Sequence, residues 1–396
     1  MSSPAAPASS ASSHGPERLL VRGVNWLGDA VMTTPALQRL REALPDAHVT
    51  LLTPEKLAGL WARHPAIDAI LTFAPGDSAW ATARRLQNEK FDTALVLPNS
   101  IRSALETWLA RIPRRIGYRG GWRTALLTQA LAPRPGAVRM RKRGVREIQR
   151  LIQAAAPAPR PAIPQTAHQL HHYLHLAAAL GASPELAPPR LYPADAELGA
   201  MRSRLGLVDL ETQGTPLFGL NPGAEYGPAK RWPVERFIAA GIELRRRTGC
   251  RWVLFGGRGD QALCASIETA LNESAATRAR EDRAEPATPV INLAAATTLP
   301  ELCAALSLCR LLLTNDTGPM HVAAAVGTPV VVPFGSTSPE LTGPGLPGDP
   351  RHHFLRAPAA CAPCFRRECP IDFRCLRGLG IEPVVGAVIA AWTRRR

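Results

Sequence analysis

Three short stretches of the chain put carboxylates, cations and hydroxyls where an apolar run gives way to a helical one. The first is Asn25-Trp26-Leu27-Gly28-Asp29, after the run Leu19 to Val24. Gly28 permits a tight turn, and Asp29 falls near the start of the next helix. A carboxylate there can simply cap the helix. Facing a desolvated cleft, the same carboxylate can act as a general base, because burial raises its pKa toward the working range. The second stretch runs Asn221-Pro222-Gly223-Ala224-Glu225-Tyr226-Gly227-Pro228-Ala229-Lys230-Arg231-Trp232-Pro233. Its glycines and prolines make a structured loop ending at Pro233, a favoured first position of a helix. Lys230 and Arg231 lie just before that start, where a phosphate would sit, although either alone also reads as an exposed loop cation. The third stretch is Thr314-Asn315-Asp316-Thr317-Gly318-Pro319-Met320-His321. Thr317, the amides beyond it and the helix dipole can hold a diphosphate without a metal. Asp316 and Thr317 also suit ordinary caps, and His321 a satisfied core histidine.

Two further patterns carry weaker signals. Phe255-Gly256-Gly257-Arg258-Gly259-Asp260 is a glycine turn of the kind that often faces a nucleotide. None of these strand-end loops spells a G-x-G-x-x-G dinucleotide fingerprint, and no G-x-x-x-x-G-K-[ST] loop occurs, so NAD enzymes and P-loop NTPases lose support. Cys361, Cys364, Cys369 and Cys375 form a C-x2-C-x4-C-x5-C cluster. Its count suits a structural zinc site, but its spacing is shorter than the usual two-knuckle pattern, which leaves reduced packing cysteines as the competing reading. Cys250, Cys264, Cys303 and Cys309 lie in or beside apolar segments and read as core.

The elements that must position these groups alternate along the chain. Strand-like runs at 19–24, 48–52, 69–73 and 93–97 are each followed by a helical stretch. A second alternation starts at 217–220 and continues through 252–255, 290–293, 310–313 and 329–333, with helices at 234–247, from 260, at 299–308 and from 318. Strands separated by helices imply parallel sheets. At 396 residues, with 46% hydrophobic and 5% aromatic content, the chain is expected to be α/β with two doubly wound parallel-sheet domains. The expected organisation is a disordered extension over residues 1–17, a Rossmann-like domain over 18–186, and a second over 187–396 whose final helix can pack back on the first. Ligands of such folds bind beyond the carboxyl ends of the strands, which points to the cleft between the domains.

The formal charge of +15 and pI near 10.3 call for anionic partners. Thirteen Lys or Arg against two acids lie between Arg102 and Arg150, as either a solvated face or an anionic docking surface. Aromatic interleaving and zinc-finger spacing are both missing, which argues against nucleic acid. Residues 1–17 lack an apolar core, and no run of 18 apolar residues occurs, so the chain is expected to be cytoplasmic and without a membrane span.

Taken together, these loops resemble the lipopolysaccharide heptosyltransferases of glycosyltransferase family 9, the type II members in particular. The resemblance runs from Leu19 to about Trp392. It rests on Asn25 to Asp29 with Ala30-Val31-Met32-Thr33-Thr34-Pro35-Ala36-Leu37, on Leu97-Pro98-Asn99-Ser100, on the 221–233 and 315–321 runs, and on Cys361-Ala362-Pro363-Cys364-Phe365-Arg366-Arg367-Glu368-Cys369-Pro370. It implies a GT-B architecture and an inverting, metal-independent transfer of L-glycero-D-manno-heptose from ADP-heptose to the first heptose of the inner core on Kdo2-lipid A, with no cofactor. It also implies a catalytic base at Asp29, a phosphate-binding lysine at Lys230, and donor contacts at Asp316, Thr317, Gly318 and His321 with Gly256 and Gly257. Asn25, Asn99, Arg102 and Arg119 become candidates for the acceptor side. A monomer touching the inner face of the cytoplasmic membrane fits these partners. Another heptosyltransferase type, or another GT-B nucleotide-sugar enzyme, is the alternative. The extension before Arg18 and the Arg- and Pro-rich middle depart from the family pattern.

Overall fold

Runs such as Leu19-Leu20-Val21 and Leu311-Leu312-Leu313 are apolar at consecutive positions, and each of these residues is fully buried. That is the mark of strands covered on both faces, as parallel strands are when their crossovers are helical. In the computed structural model, which describes residues 15–154, 162–207, 214–282 and 288–394, these runs build two six-stranded parallel sheets. The first contains β1 (Arg18–Arg22), β2 (His48–Pro54), β3 (Ala69–Phe73), β4 (Thr93–Val96), β5 (Arg114–Tyr118) and β6 (Gln129–Leu131) in the order β3-β2-β1-β4-β5-β6. The second contains β7 (Leu217–Asn221), β8 (Arg251–Leu254), β9 (Ile291–Asn292), β10 (Leu311–Thr314), β11 (Val330–Pro333) and β12 (His353–Leu355) in the order β12-β11-β10-β7-β8-β9.

Each half therefore starts in the middle of its sheet, winds outward on one side, returns, and winds outward on the other. The reversal falls between β1 and β4 in one half and between β7 and β10 in the other. At such a point neighbouring strands send their connections to opposite faces and leave a crevice at their carboxyl ends. The GT-B expectation of two doubly wound α/β halves is met.

The helix Leu27–Ala43 follows β1, and every residue from Ala30 to Leu37 is buried. Such all-round burial arises because it is packed by the helix Gln169–Ala178 of its own half and by the helix Gly318–Ala325 of the other. Thr33 and Thr34 sit inside this contact by donating their hydroxyls to the carbonyls of Ala30 and Val31, which satisfies both groups without water.

One segment crosses the expected division, and one expected crossing does not occur. Ile148, on the helix Val145–Gln153, belongs to the apolar core of the second half. The final helix, Ile381–Thr393, was expected to be able to pack back on the first half. It lies instead on the second sheet, against β10 to β12 and the helix Val234–Thr248. Val384, Val385 and Val388 form a fully buried stripe in that core, so the apolar face is already consumed there. The expected disorder of residues 1–17 falls, apart from residues 15–17, outside the described residues. Among the described residues no helix is long and apolar enough to cross a membrane.

Candidate functional site

Both switch points open onto the same space, and all three strand-to-helix stretches converge there. The helix carrying Asp29 begins at Leu27. Its N-cap is Trp26, which makes no side-chain cap bond. Asp29 thus occupies the first turn rather than the cap. The first turn of Gly318–Ala325 lies directly against this one. A Cβ added at Gly28 would stand 2.7 Å from Cδ2 of His321, and one at Gly318 would stand 2.9 Å from Leu27. Two helix N-termini therefore face one another across the cleft, although in the second Pro319 has no N–H and Met320 N–H donates to Thr317 O at 3.1 Å.

On the second half, Lys230 Nζ lies 2.8 Å from Asp316 Oδ2, with both side chains largely buried. Thr337 donates its hydroxyl to the same carboxylate oxygen. The Lys230 ammonium also lies 4.9 Å from the centre of the Tyr226 ring, and Tyr226 donates its hydroxyl to the Phe365 carbonyl at 2.9 Å. The loop holding Lys230 is pinned to the cysteine-containing run. Ala229 N–H donates to Arg367 O at 2.9 Å, and Gly227 adopts a φ of 146° where a Cβ would meet that carbonyl at 2.7 Å, so glycine is required by both conformation and space. Asn315 then ties the two phosphate-side loops together, accepting from Trp232 N–H at 2.9 Å and donating to Pro222 O at 2.6 Å.

Asp29 carries the largest electrostatic consequence. It is partly exposed, yet the dense surroundings desolvate it and lift its pKa from 3.8 to about 6. Lys230 opposes that rise and Asp316 adds to it, which places all three charges within one another's field across the two halves. His321, buried in the same wall, is pushed down to about 3, chiefly by desolvation, so it stands neutral beside the Lys230 cation.

The other expected positions are distributed as follows. Gly256 and Gly257 follow β8, where Gly257 N–H donates to Asp260 Oδ2 at 3.1 Å. Asp260 also lies where a Gly223 side chain would stand, so these glycines make room for a carboxylate beside the Lys230 loop. Asn25 and Asn99 follow β1 and β4, the strands flanking the switch point. Asn25 accepts from Arg22 at 3.2 Å, and Asn99 accepts from Arg123 at 3.1 Å. Arg102 is bound to Glu106 at 2.9 Å and to the Asp77 carbonyl. Arg119 is exposed, with its backbone N–H paired to Leu131.

The basic stretch is thus not one surface. Arg115 and Arg123 are spent on internal carbonyls, and the exposed Arg102 is paired with the buried Glu106, whereas Arg139, Arg141, Lys142, Arg146 and Arg150 are exposed. Cys361, Cys364 and Cys375 are buried and Cys369 partly so, all as free thiols. Among the described residues no group of three His, Cys, Asp or Glu is placed to hold a metal ion.

Sequence reasoning passed over four residues that shape the site. Thr337 and Arg367 come from loops with no strand-end signature. Arg22 and Glu106 form a fully buried pair at 2.8 Å beneath Asn25; the one available signal was an arginine closing the otherwise apolar run of β1.

Comparisons with known proteins identify the family and the fold. Residues 79–373 match the family described as glycosyltransferase family 9 (heptosyltransferase). Lipopolysaccharide heptosyltransferase 2 of Salmonella typhimurium is 31% identical over 340 residues, covering 83% of this chain and 85% of the relative. Lipooligosaccharide heptosyltransferase 2 of Haemophilus ducreyi is 29% identical over 334 residues, covering 83% and 86%. Among solved structures, that of E. coli ADP-heptose lps heptosyltransferase II superposes with a TM-score of 0.71 at 25% identity, over 96% of this chain and 99% of that one.

Proposed function

Since the chain belongs to glycosyltransferase family 9, the heptosyltransferases, we propose that it moves L-glycero-D-manno-heptose from ADP-heptose onto the first heptose of a lipopolysaccharide inner core, with inversion and without a metal. The observation that carries this reading is the meeting of Asp29 with Lys230 and Asp316 across the cleft, with the Asp29 pKa lifted to about 6. The relatives' names supply the donor and the acceptor class.

In the proposed reaction the acceptor hydroxyl donates a hydrogen bond to the Asp29 carboxylate. As its oxygen attacks the anomeric carbon, the proton passes to Asp29 and the bond to the diphosphate breaks on the opposite face of the sugar. A pKa near 6 makes Asp29 a stronger base than an ordinary aspartate while leaving it ionised at neutral pH. ADP departs with negative charge. Lys230 and the positive end of the helix Gly318–Ala325 face that charge, which removes the need for a divalent cation. In the free protein Asp316 and Tyr226 hold Lys230 in place, so little of its binding energy is lost in ordering the side chain when the donor arrives. The expected workplace is the cytoplasmic face of a membrane, where the exposed arginines of 139–150 meet anionic lipid.

The test is turnover. The purified protein is given ADP-heptose and a core ending at its first heptose, and separately UDP- and GDP-sugars, each with and without EDTA. A product one heptose heavier from ADP-heptose, insensitive to EDTA, is expected. Transfer only from the other nucleotide sugars, or EDTA inhibition reversed by added metal, refutes the proposal.

A further inference from the structure

Beside the donor residues lies a second cavity, of about 620 Å³, that the chemistry above does not use. One wall is the extended stretch before the helix Val145–Gln153. Arg139, Arg141 and Arg143 line the cavity, while Met140 and Lys142 between them do not, as expected when alternate residues of an extended chain face opposite sides. Arg356, from the loop after β12, lines the opposite wall. Four arginines therefore line one space, of which Arg143 also donates to the Ala360 carbonyl at 3.3 Å and lies 3.8 Å from Glu147. Glu340 is the lining carboxylate, already paired with Arg356 and accepting from Ser338 at 2.6 Å. Glu147 sits behind Arg141 at 2.6 Å. Among the described residues no carboxylate pairs with Arg139. Among the described residues the rest of the lining, Ser338 aside, is apolar, with Val138, Leu151, Leu341 and Phe365 the largest contributors.

The cavity shares its walls with the donor site through two separate connections. Ser338 follows directly on Thr337, whose hydroxyl binds Asp316, and Leu341 comes three residues after Ser338. Phe365 supplies the carbonyl that anchors Tyr226 beneath Lys230. A molecule seated here is thus adjacent to the cleft without occupying the donor position.

We propose that this cavity binds the phosphate-bearing, acylated end of the glycolipid acceptor, the arginines taking the phosphate and the apolar wall the start of an acyl chain. The inference rests on the proposed function for the identity of the acceptor. Guanidinium forks match phosphate oxygens bidentately, and the excess of arginine over carboxylate leaves charge for an incoming anion to neutralise. An apolar half-lining would be wasted on a free phosphate or a second nucleotide. It suits an amphiphile whose sugar end reaches out to Asp29.

The experiment compares the wild type with Arg139→Ser/Arg141→Ser, and with Lys142→Ser/Arg146→Ser as a charge-matched control whose residues do not line the cavity. Each is given the acylated, phosphorylated inner-core acceptor and the same acceptor after removal of its phosphates. Equilibrium binding is measured without donor, alongside acceptor KM and kcat. The cavity pair is expected to weaken binding of the phosphorylated acceptor, and raise its KM, about tenfold or more, with kcat changed less than about twofold. The dephosphorylated acceptor should bind the wild type and the cavity pair alike, about tenfold more weakly than the phosphorylated form binds the wild type. Equal wild-type affinity for the two acceptors overturns the proposal. So does an equal loss in the control pair, which would mean unspecific attraction to an anionic surface. If no heptose is transferred to either acceptor, the functional reading fails, and the donor-free binding measurements still decide the cavity.

Discussion

Replacing Asp29 by Asn should make the protein more stable and inactive at the same time. The folded-state pKa of Asp29, lifted to about 6 from 3.8 chiefly by desolvation, means that the folded chain holds this proton more tightly than the unfolded chain does. Between about pH 4 and pH 6 the folded state is protonated while the unfolded state is not. Stability contributed by the protonated form is fully present below about pH 4 and is lost as pH rises through about 6. At 1.36 kcal/mol per pKa unit, the loss is about 3 kcal/mol above pH 7, and nearer about 2 kcal/mol given that the carboxylate keeps some contact with solvent. Asparagine has the same shape and no charge to desolvate. Urea unfolding of the wild type and Asp29→Asn from pH 4 to pH 8 should therefore show no difference at pH 4 and a gain of about 2–3 kcal/mol for the variant by pH 7.5. Turnover should fall by about 100-fold or more, and wild-type kcat/KM should rise through an acid limb near pH 6. A variant no more stable at pH 7.5 than at pH 4, or one that keeps more than about a tenth of wild-type turnover, refutes the assignment of a desolvated base.

Three further outcomes follow from the same contacts. Lys230→Met removes the cation that lowers the Asp29 pKa, so the acid limb should move above pH 6, while donor KM rises about tenfold and stability falls by about 1–3 kcal/mol as Asp316 loses its partner; a stationary limb would separate Lys230 from Asp29. Gly28→Ala sets a methyl 2.7 Å from His321 and should force the two first turns apart, lowering kcat/KM about tenfold with little change in melting temperature. Gly386→Ala, where a Cβ meets nothing within 4 Å, serves as its control. Glu106→Gln strands the buried Arg22 guanidinium and releases Arg102, which should cost about 3–5 kcal/mol, readable as a lowered urea midpoint.

How much of this was legible beforehand depended on how local the cause is. The central strands of both sheets could be read because a strand covered by helices on both faces must be apolar at nearly every position, as Leu311 to Leu313 are. The strands β5, β6 and β12 could not. Arg114-Arg115-Ile116-Gly117-Tyr118 begins with two arginines, and β6 and β12 are three residues each at sheet edges. β5 lies inside its sheet between β4 and β6 but its arginines hide it, and β6 and β12 are too short to show a pattern. The edge strand β3 could be read because its residues are mostly apolar.

The site divides in the same way. Asp29, Lys230 and Asp316 were visible because glycine, proline and a charged residue at a strand end leave a short local signature. Their meeting was not, since it depends on two helix N-termini from halves nearly 300 residues apart touching through Gly28 and His321. Whether Asp29 was a cap or a desolvated carboxylate could be decided only once Trp26 was seen to hold the cap position and the second half to close over the first turn. Likewise, the thirteen basic residues between Arg102 and Arg150 carry no mark of which are internal. Arg123 turns inward because Asn99 and the Tyr118 carbonyl are waiting there, while Arg102 stays exposed and pairs with the buried Glu106. Arg139 and Arg141 stay outside, on a wall completed by Arg356 from the other half. Sequence by itself determined which residue types stand at the ends of which strands, because strand and turn chemistry act over a few residues. Burial, partner and pKa were decided by the tertiary structure, because desolvation and charge act through space between segments that the chain keeps far apart.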